Sequence, residues 1–108
     1  MPRKLLIVED HPLFSEALQL VLAGSFPGVH VEAAATLERA RALLERDIDF
    51  DLVLLDLWLP DTKGLDGLVI LRQQFPKLPI LVVSAFSTPS VVRRVMTCGA
   101  AGFIAKAC

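Results

Sequence analysis

An α/β fold on a parallel sheet is what the sequence predicts, on three observations. The runs Leu52 to Leu55 and Ile80 to Val83 carry no polar residue on either face, as central strands do when helices cover both sides of a sheet. Between such runs the apolar residues recur at helical spacing. The connections are short throughout, so right-handed crossovers between parallel strands are the economical architecture.

The elements follow in order. Leu5 to Val8 is a short buried strand ended by Glu9 and Asp10. Pro12 suits a first helical position with His11 as the preceding cap-like residue, and Leu13, Phe14, Ala17, Leu18, Val21 and Leu22 follow as an inward stripe until Gly24. Val29 to Ala33 alternates like a half-covered strand. Thr36 then caps a helix that turns Leu37, Ala40, Leu43 and Leu44 inward and Glu38, Arg39, Arg41 and Glu45 to water. The third strand, Leu52 to Leu55, ends on Asp56, with Pro60 and Gly64 stopping regular structure beyond it. A helix with Leu65, Leu68, Leu71 and Phe75 stops at Pro76 and Pro79. After the fourth strand, Ile80 to Ser84, Ser87 or Thr88 opens a helix at Pro89 with Val91, Val92, Val95 and Met96 inward and Arg93 and Arg94 outward. Gly99 ends it, and Gly102 to Lys106 is the fifth strand.

Composition narrows the function classes. At 108 residues the chain makes one domain, without linker, repeat or low-complexity segment. A net charge of −1 and a pI near 6.1 supply no general attraction to nucleic acid or anionic membrane. The hydrophobic fraction is 54% and the mean hydropathy +0.56, yet no apolar run approaches a bilayer span. Arg3 and Lys4 precede only a short apolar run, which is no signal peptide, so a cytoplasmic location is expected. Cys98 and Cys108 form no CxxC pair and match no zinc spacing.

The informative polar residues fall at strand carboxyl ends, where α/β sheets place their ligands: Glu9 and Asp10, Asp56, Ser84 and Lys106. Three converging carboxylates repel one another unless a hard divalent cation or a lysine compensates. Magnesium suits oxygen ligands with retained water, and a carboxylate beside such a metal can attack phosphorus while Lys106 holds the transferring charge. Ser84 adds a hydroxyl donor. The set points to an aspartyl phosphate on Asp56. His11 is read as a cap or local hydrogen bonder, and Trp58 as an exposed loop residue.

Over Arg3 to Lys106 the chain resembles the receiver domain of two-component response regulators, most similarly those of LuxR or NarL type. The resemblance rests on Val8-Glu9-Asp10-His11-Pro12, Asp51 to Asp56 with Leu59-Pro60-Asp61 and Gly64, Ser84-Ala85, and Gly99 to Lys106. It implies a flavodoxin-like doubly wound sheet of strand order 2-1-3-4-5 and Asp56 as phosphoacceptor. It further implies Mg2+ held by Glu9, Asp10, Asp56 and the Trp58 backbone carbonyl, phosphoryl binding by Ser84 and Lys106, and a switch through Ser84 and Phe103. The implied partners are a sensor histidine kinase, a second copy, and DNA only through a helix-turn-helix domain that this chain does not contain. On this reading the chain is no enzyme in its own right, although it assists its own magnesium-dependent phosphorylation and dephosphorylation.

Two departures stand out. The chain stops at Cys108, where the family forms a final helix, and Ala107 stands where many members have proline, so the usual cis peptide is not expected there. With the last helix missing from residues 1–108, strands carrying Leu54, Val82 and Ile104 need cover on the first helix's side, and self-association or poor stability is expected. Rival readings are weaker. A haloacid-dehalogenase-like phosphatase wants a second carboxylate where Trp58 stands, and a flavin or dinucleotide binder wants a phosphate loop where Glu9 and Asp10 would repel phosphate. The alternative that survives is a degenerate receiver serving as a phosphorylation-independent interaction module.

Overall fold

Five parallel strands hydrogen-bond in the order β2-β1-β3-β4-β5 in the computed structural model, which describes residues 3–47 and 49–106. The strands are β1 (Lys4–Val8), β2 (His30–Ala34), β3 (Leu52–Asp56), β4 (Ile80–Ser84) and β5 (Gly102–Ala105). Four helices alternate with them among the described residues: α1 (Pro12–Ser25), α2 (Leu37–Arg46), α3 (Asp66–Gln74) and α4 (Pro89–Thr97). This is the doubly wound order that the resemblance implies. Ala107 and Cys108, with the expectations placed on them and on a helix beyond, lie outside the described residues.

Helices α2 and α4 begin where a short polar side chain accepts from a free backbone N–H of the first turn. Thr36 accepts from the Arg39 N–H at 3.1 Å and Thr88 from the Val91 N–H at 3.3 Å. Helix α2 has a second, distant cap: the two oxygens of Asp61 accept from Leu37 N–H at 2.9 Å and Glu38 N–H at 3.0 Å. Burial opposes ionisation of Asp61, but these two donors outweigh it and hold its carboxyl below the usual range. Gly99, at φ +96, takes the left-handed turn after α4, while its own N–H and that of Ala100 bond back to Met96 and Val95 carbonyls.

The two sheet faces are covered unequally. On one face α2, α3 and α4 close the larger core, with Leu6, Val8, Val53, Leu55 and Val82 from the strands against Leu44, Leu68, Leu71 and Val95. On the other, Ile7, Leu54 and Val83 meet only Phe14, Leu18 and Leu22 of α1, with Val31 and Leu52 beside them. Val82 therefore faces away from α1, whereas Leu54 faces it. Ile104, in register with Val83, shares the α1 face and stays 45% exposed. The expected inward stripe of α1 needs correction: Leu13, Ala17 and Val21 are exposed, and only Phe14, Leu18 and Leu22 of that stripe lean on the sheet. Helix α1 is apolar nearly all round, so its pattern could not select the buried side. In α4 the correction is Met96, which is exposed while Val95 is buried.

Candidate functional site

The carboxyl ends of β1, β3, β4 and β5 bring the predicted residues together. Glu9 directly follows β1, Asp56 and Ser84 are the last residues of β3 and β4, and Lys106 directly follows β5. Register carries the alignment, since Asp56 pairs with Val83, and Ser84 with Ala105. Burial is nearly complete: Asp56 is 2% and Glu9 5% exposed, and Ser84 is fully buried.

Lys106 is the cation among these acids. Its Nζ lies 3.1 Å from both oxygens of Glu9 and 3.3 Å from Asp56 Oδ2, and it rests over the Phe14 ring at 4.5 Å from the centroid. The other oxygen of Asp56, Oδ1, accepts from the Trp58 N–H at 3.2 Å. Burial raises the Glu9 carboxyl above its ordinary range, and neighbouring Asp56 adds to this, while Lys106 and His11 pull it back.

Asp10 completes the acidic group. Its Oδ1 is buried without a hydrogen-bond partner. One ligand atom from each of Glu9, Asp10, His11 and Asp56 can be chosen so that all lie within 4.8 Å of one another. Such a set, rich in oxygen and with one buried carboxylate oxygen unused, fits a hard divalent cation.

Ser84 and Phe103 share a sheet face. Ser84 Oγ accepts from the Phe86 N–H at 3.1 Å. Phe103, in register with Val82, is half-buried against the larger core, two residues along β5 from the position opposite Ser84. Trp58 is 55% exposed, as expected of a loop residue.

The contacts of Phe14 and Phe86 escaped the sequence reading, whereas His11 takes the second of the two roles read for it, local hydrogen bonding. His11 occupies the N-cap position of α1, but its ring makes no cap bond; its Nδ1 lies 2.7 Å from Glu9 Oε1 instead. Phe14 supports Lys106 from the first turn of α1. Phe86 packs on Trp58 with ring centroids 5.1 Å apart, so the loops after Asp56 and Ser84 touch. The available signal for this pair was a shared offset, because each aromatic stands two residues beyond a site residue.

Residues 5–108 match the family model described as "Response regulator receiver domain". The chain belongs to the response regulator receiver family. Among curated relatives, the glycerol metabolism activator of Pseudomonas putida is 46% identical over 95% of this chain and 47% of its own length. This chain spans about half or less of the length of the first curated relatives it matches, from 23% to 48%. Among solved structures, a LuxR-family two-component response regulator from Aurantimonas sp. SI85-9A1 superposes with a TM-score of 0.87 at 26% identity, covering 99% of this chain and 76% of that one. The BeF3-activated N-terminal receiver domain of Klebsiella pneumoniae RstA gives 0.86 at 26% identity, covering 98% and 87%. No helix among the described residues is long and apolar enough to cross a membrane.

Proposed function

We propose that this receiver takes a phosphoryl group onto Asp56 from the phosphohistidine of a sensor histidine kinase. The observation that carries the reading is the setting of Asp56, a buried carboxylate at the end of the central strand with Lys106 3.3 Å from one oxygen. An Asp56 oxygen attacks phosphorus, the P–N bond of the donor breaks, and its electron pair returns to the donor imidazole. Lys106 offsets the charge on the transferred group. The Ser84 oxygen only accepts from Phe86 at present, so its own hydrogen is available to donate to a phosphoryl oxygen.

Glu9, Asp10 and Asp56, with the backbone carbonyl of Trp58, would hold Mg2+. When bound, the ion neutralises charge on the carboxylates and on the phosphoryl group. Drawing Ser84 inward empties space on the face it shares with Phe103, and the Phe103 ring fills it, remodelling the surface of α4 and β5 around Arg93 and Arg94. Phenylalanine has no hydroxyl to mark either position, so packing alone separates the two states.

Residues 1–108 form the receiver module of a longer regulator in the cytoplasm. Its output is a helix-turn-helix domain that binds DNA and controls transcription, a reading supported by the likeness to a LuxR-family regulator. The likeness to a BeF3-activated receiver supports activation by a phosphoryl-like group. A second copy docks on the α1 face, where Leu13, Leu20, Val21 and Ile104 are exposed. The chain itself turns over no separate substrate; Asp56 is the acceptor, and the site assists both its loading and its hydrolysis.

Intact mass after incubation with acetyl phosphate and Mg2+ tests the reading. One phosphoryl group is expected on the wild type and none on Asp56→Asn. A chain that gains no mass, or a variant that gains it at the same rate, overturns the assignment and leaves a phosphorylation-independent interaction module.

A further inference from the structure

We infer that His11 is a metal-selecting residue of this site, a nitrogen ligand that shifts its preference from Mg2+ toward a later first-row divalent cation such as Co2+, Ni2+ or Zn2+. The inference rests on the metal reading given above for Glu9, Asp10 and Asp56.

The ring is placed for this and is not used elsewhere. His11 stands at the N-cap of α1 with extended backbone and Pro12 next, yet its side chain caps nothing. Its Nδ1 points into the acidic group, 2.7 Å from Glu9 Oε1 and 3.4 Å from Asp10 Oδ1. That Asp10 oxygen is the buried one without a hydrogen-bond partner. Donors lying within 4.8 Å of one another can surround a single ion at bond lengths of about 2.0 to 2.4 Å.

A hydrogen on Nδ1 directed at Glu9 Oε1 accounts for their 2.7 Å contact. The side chain is 65% exposed, which lets water move that proton to Nε2 and leaves the Nδ1 lone pair for a cation. Glu9 then loses one donor and keeps Lys106. A magnesium ion gains little from exchanging a water for imidazole, because it prefers oxygen and gives up water reluctantly. The later divalent ions bind imidazole well, so the same exchange tightens their binding.

The test is a pair of titrations of the whole 108-residue chain, Mg2+ alone and Co2+ alone, followed by Trp58 fluorescence and by the visible absorption of bound Co2+. His11→Gln is expected to weaken Co2+ by about tenfold or more and shift its absorption, while leaving Mg2+ within about twofold. The retained Mg2+ affinity shows that the variant is folded. His30→Gln, which changes the only other histidine, is expected to alter neither titration. A ratio of Co2+ to Mg2+ affinity that His11→Gln leaves unchanged, or an absorption that it does not move, overturns the inference. A wild-type chain that binds neither ion overturns the underlying metal reading as well.

Discussion

Asp51 and Asp56 bracket the same strand, and the two ends of β3 treat their carboxylates in opposite ways. At the amino end, Asp51 Oδ2 accepts backbone N–H bonds from Arg3 at 2.8 Å and Lys4 at 3.0 Å. Asp47 pairs with the Lys4 ammonium and accepts from the Asp49 N–H at 2.9 Å. Both carboxyls are held below their ordinary range, Asp51 by backbone donors and Asp47 by Lys4. At the carboxyl end, Glu9 and Asp56 share one lysine in a buried space, and Glu9 is pushed the other way by that burial. Similar residue types thus do two jobs. The amino end fastens the chain with charges that water and backbone already satisfy, whereas the carboxyl end holds charges that are fully compensated only by something further.

The largest break in this comparison comes from the two lysines. Lys106→Met leaves two buried carboxylates without their cation and is expected to cost about 3 kcal/mol in the metal-free chain. Lys4→Met, at a solvent-facing pair, is expected to cost far less. Urea denaturation of both variants measures the difference, and equal losses would erase the contrast. Added Mg2+ should recover much of what Lys106→Met loses and nothing of what Lys4→Met loses.

Next in size is Glu9→Gln. Removing a buried like charge beside Asp56 is expected to stabilise the metal-free chain by on the order of 1 kcal/mol while weakening its hold on Mg2+. A thermal melt with and without the ion reads both effects. A variant less stable than wild type without metal would show that Glu9 serves the fold first.

Acid sharpens the comparison from the other end. A carboxyl held low in the folded chain contributes stability that is present above its unfolded value, about 3.9 for aspartate, and is lost as pH falls through the folded value. Asp47, Asp51 and Asp61 therefore make the fold acid-sensitive below about pH 4. Urea midpoints from pH 6 to pH 3 should fall less steeply in Asp51→Asn than in the wild type, and parallel curves would remove Asp51 from that role.

The smallest expected effect concerns the thinly covered face. Exposed Leu13, Leu20, Val21 and Ile104 should give weak, concentration-dependent association, visible by light scattering and reduced by Leu20→Lys. A chain that stays monomeric at high concentration would mean that this apolar surface does not suffice for pairing.

Much of this was legible in the residues themselves. Strands β3 and β4 declared themselves because a run without polar residues can only sit where both faces are covered, and the caps Thr36 and Thr88 lie a turn or less from the donors they serve. The carboxyl-end placement of Glu9, Asp10, Asp56, Ser84 and Lys106 followed from strand polarity, which chain order determines. What only the tertiary structure decided were contacts whose partners lie far apart or whose choices are locally equal. Asp61 caps a helix 24 residues upstream, and nothing in its own loop announces that. His11 chose Glu9 over the helix end beside it because the folded site concentrates negative charge there. Helix α1 turns Phe14, Leu18 and Leu22 toward the sheet rather than Leu13, Ala17 and Val21, a choice its sequence leaves open because a helix apolar on nearly every side carries no contrast to orient it. Its rotation is set by the sheet, and by Lys106 reaching the Phe14 ring from the far end of the chain.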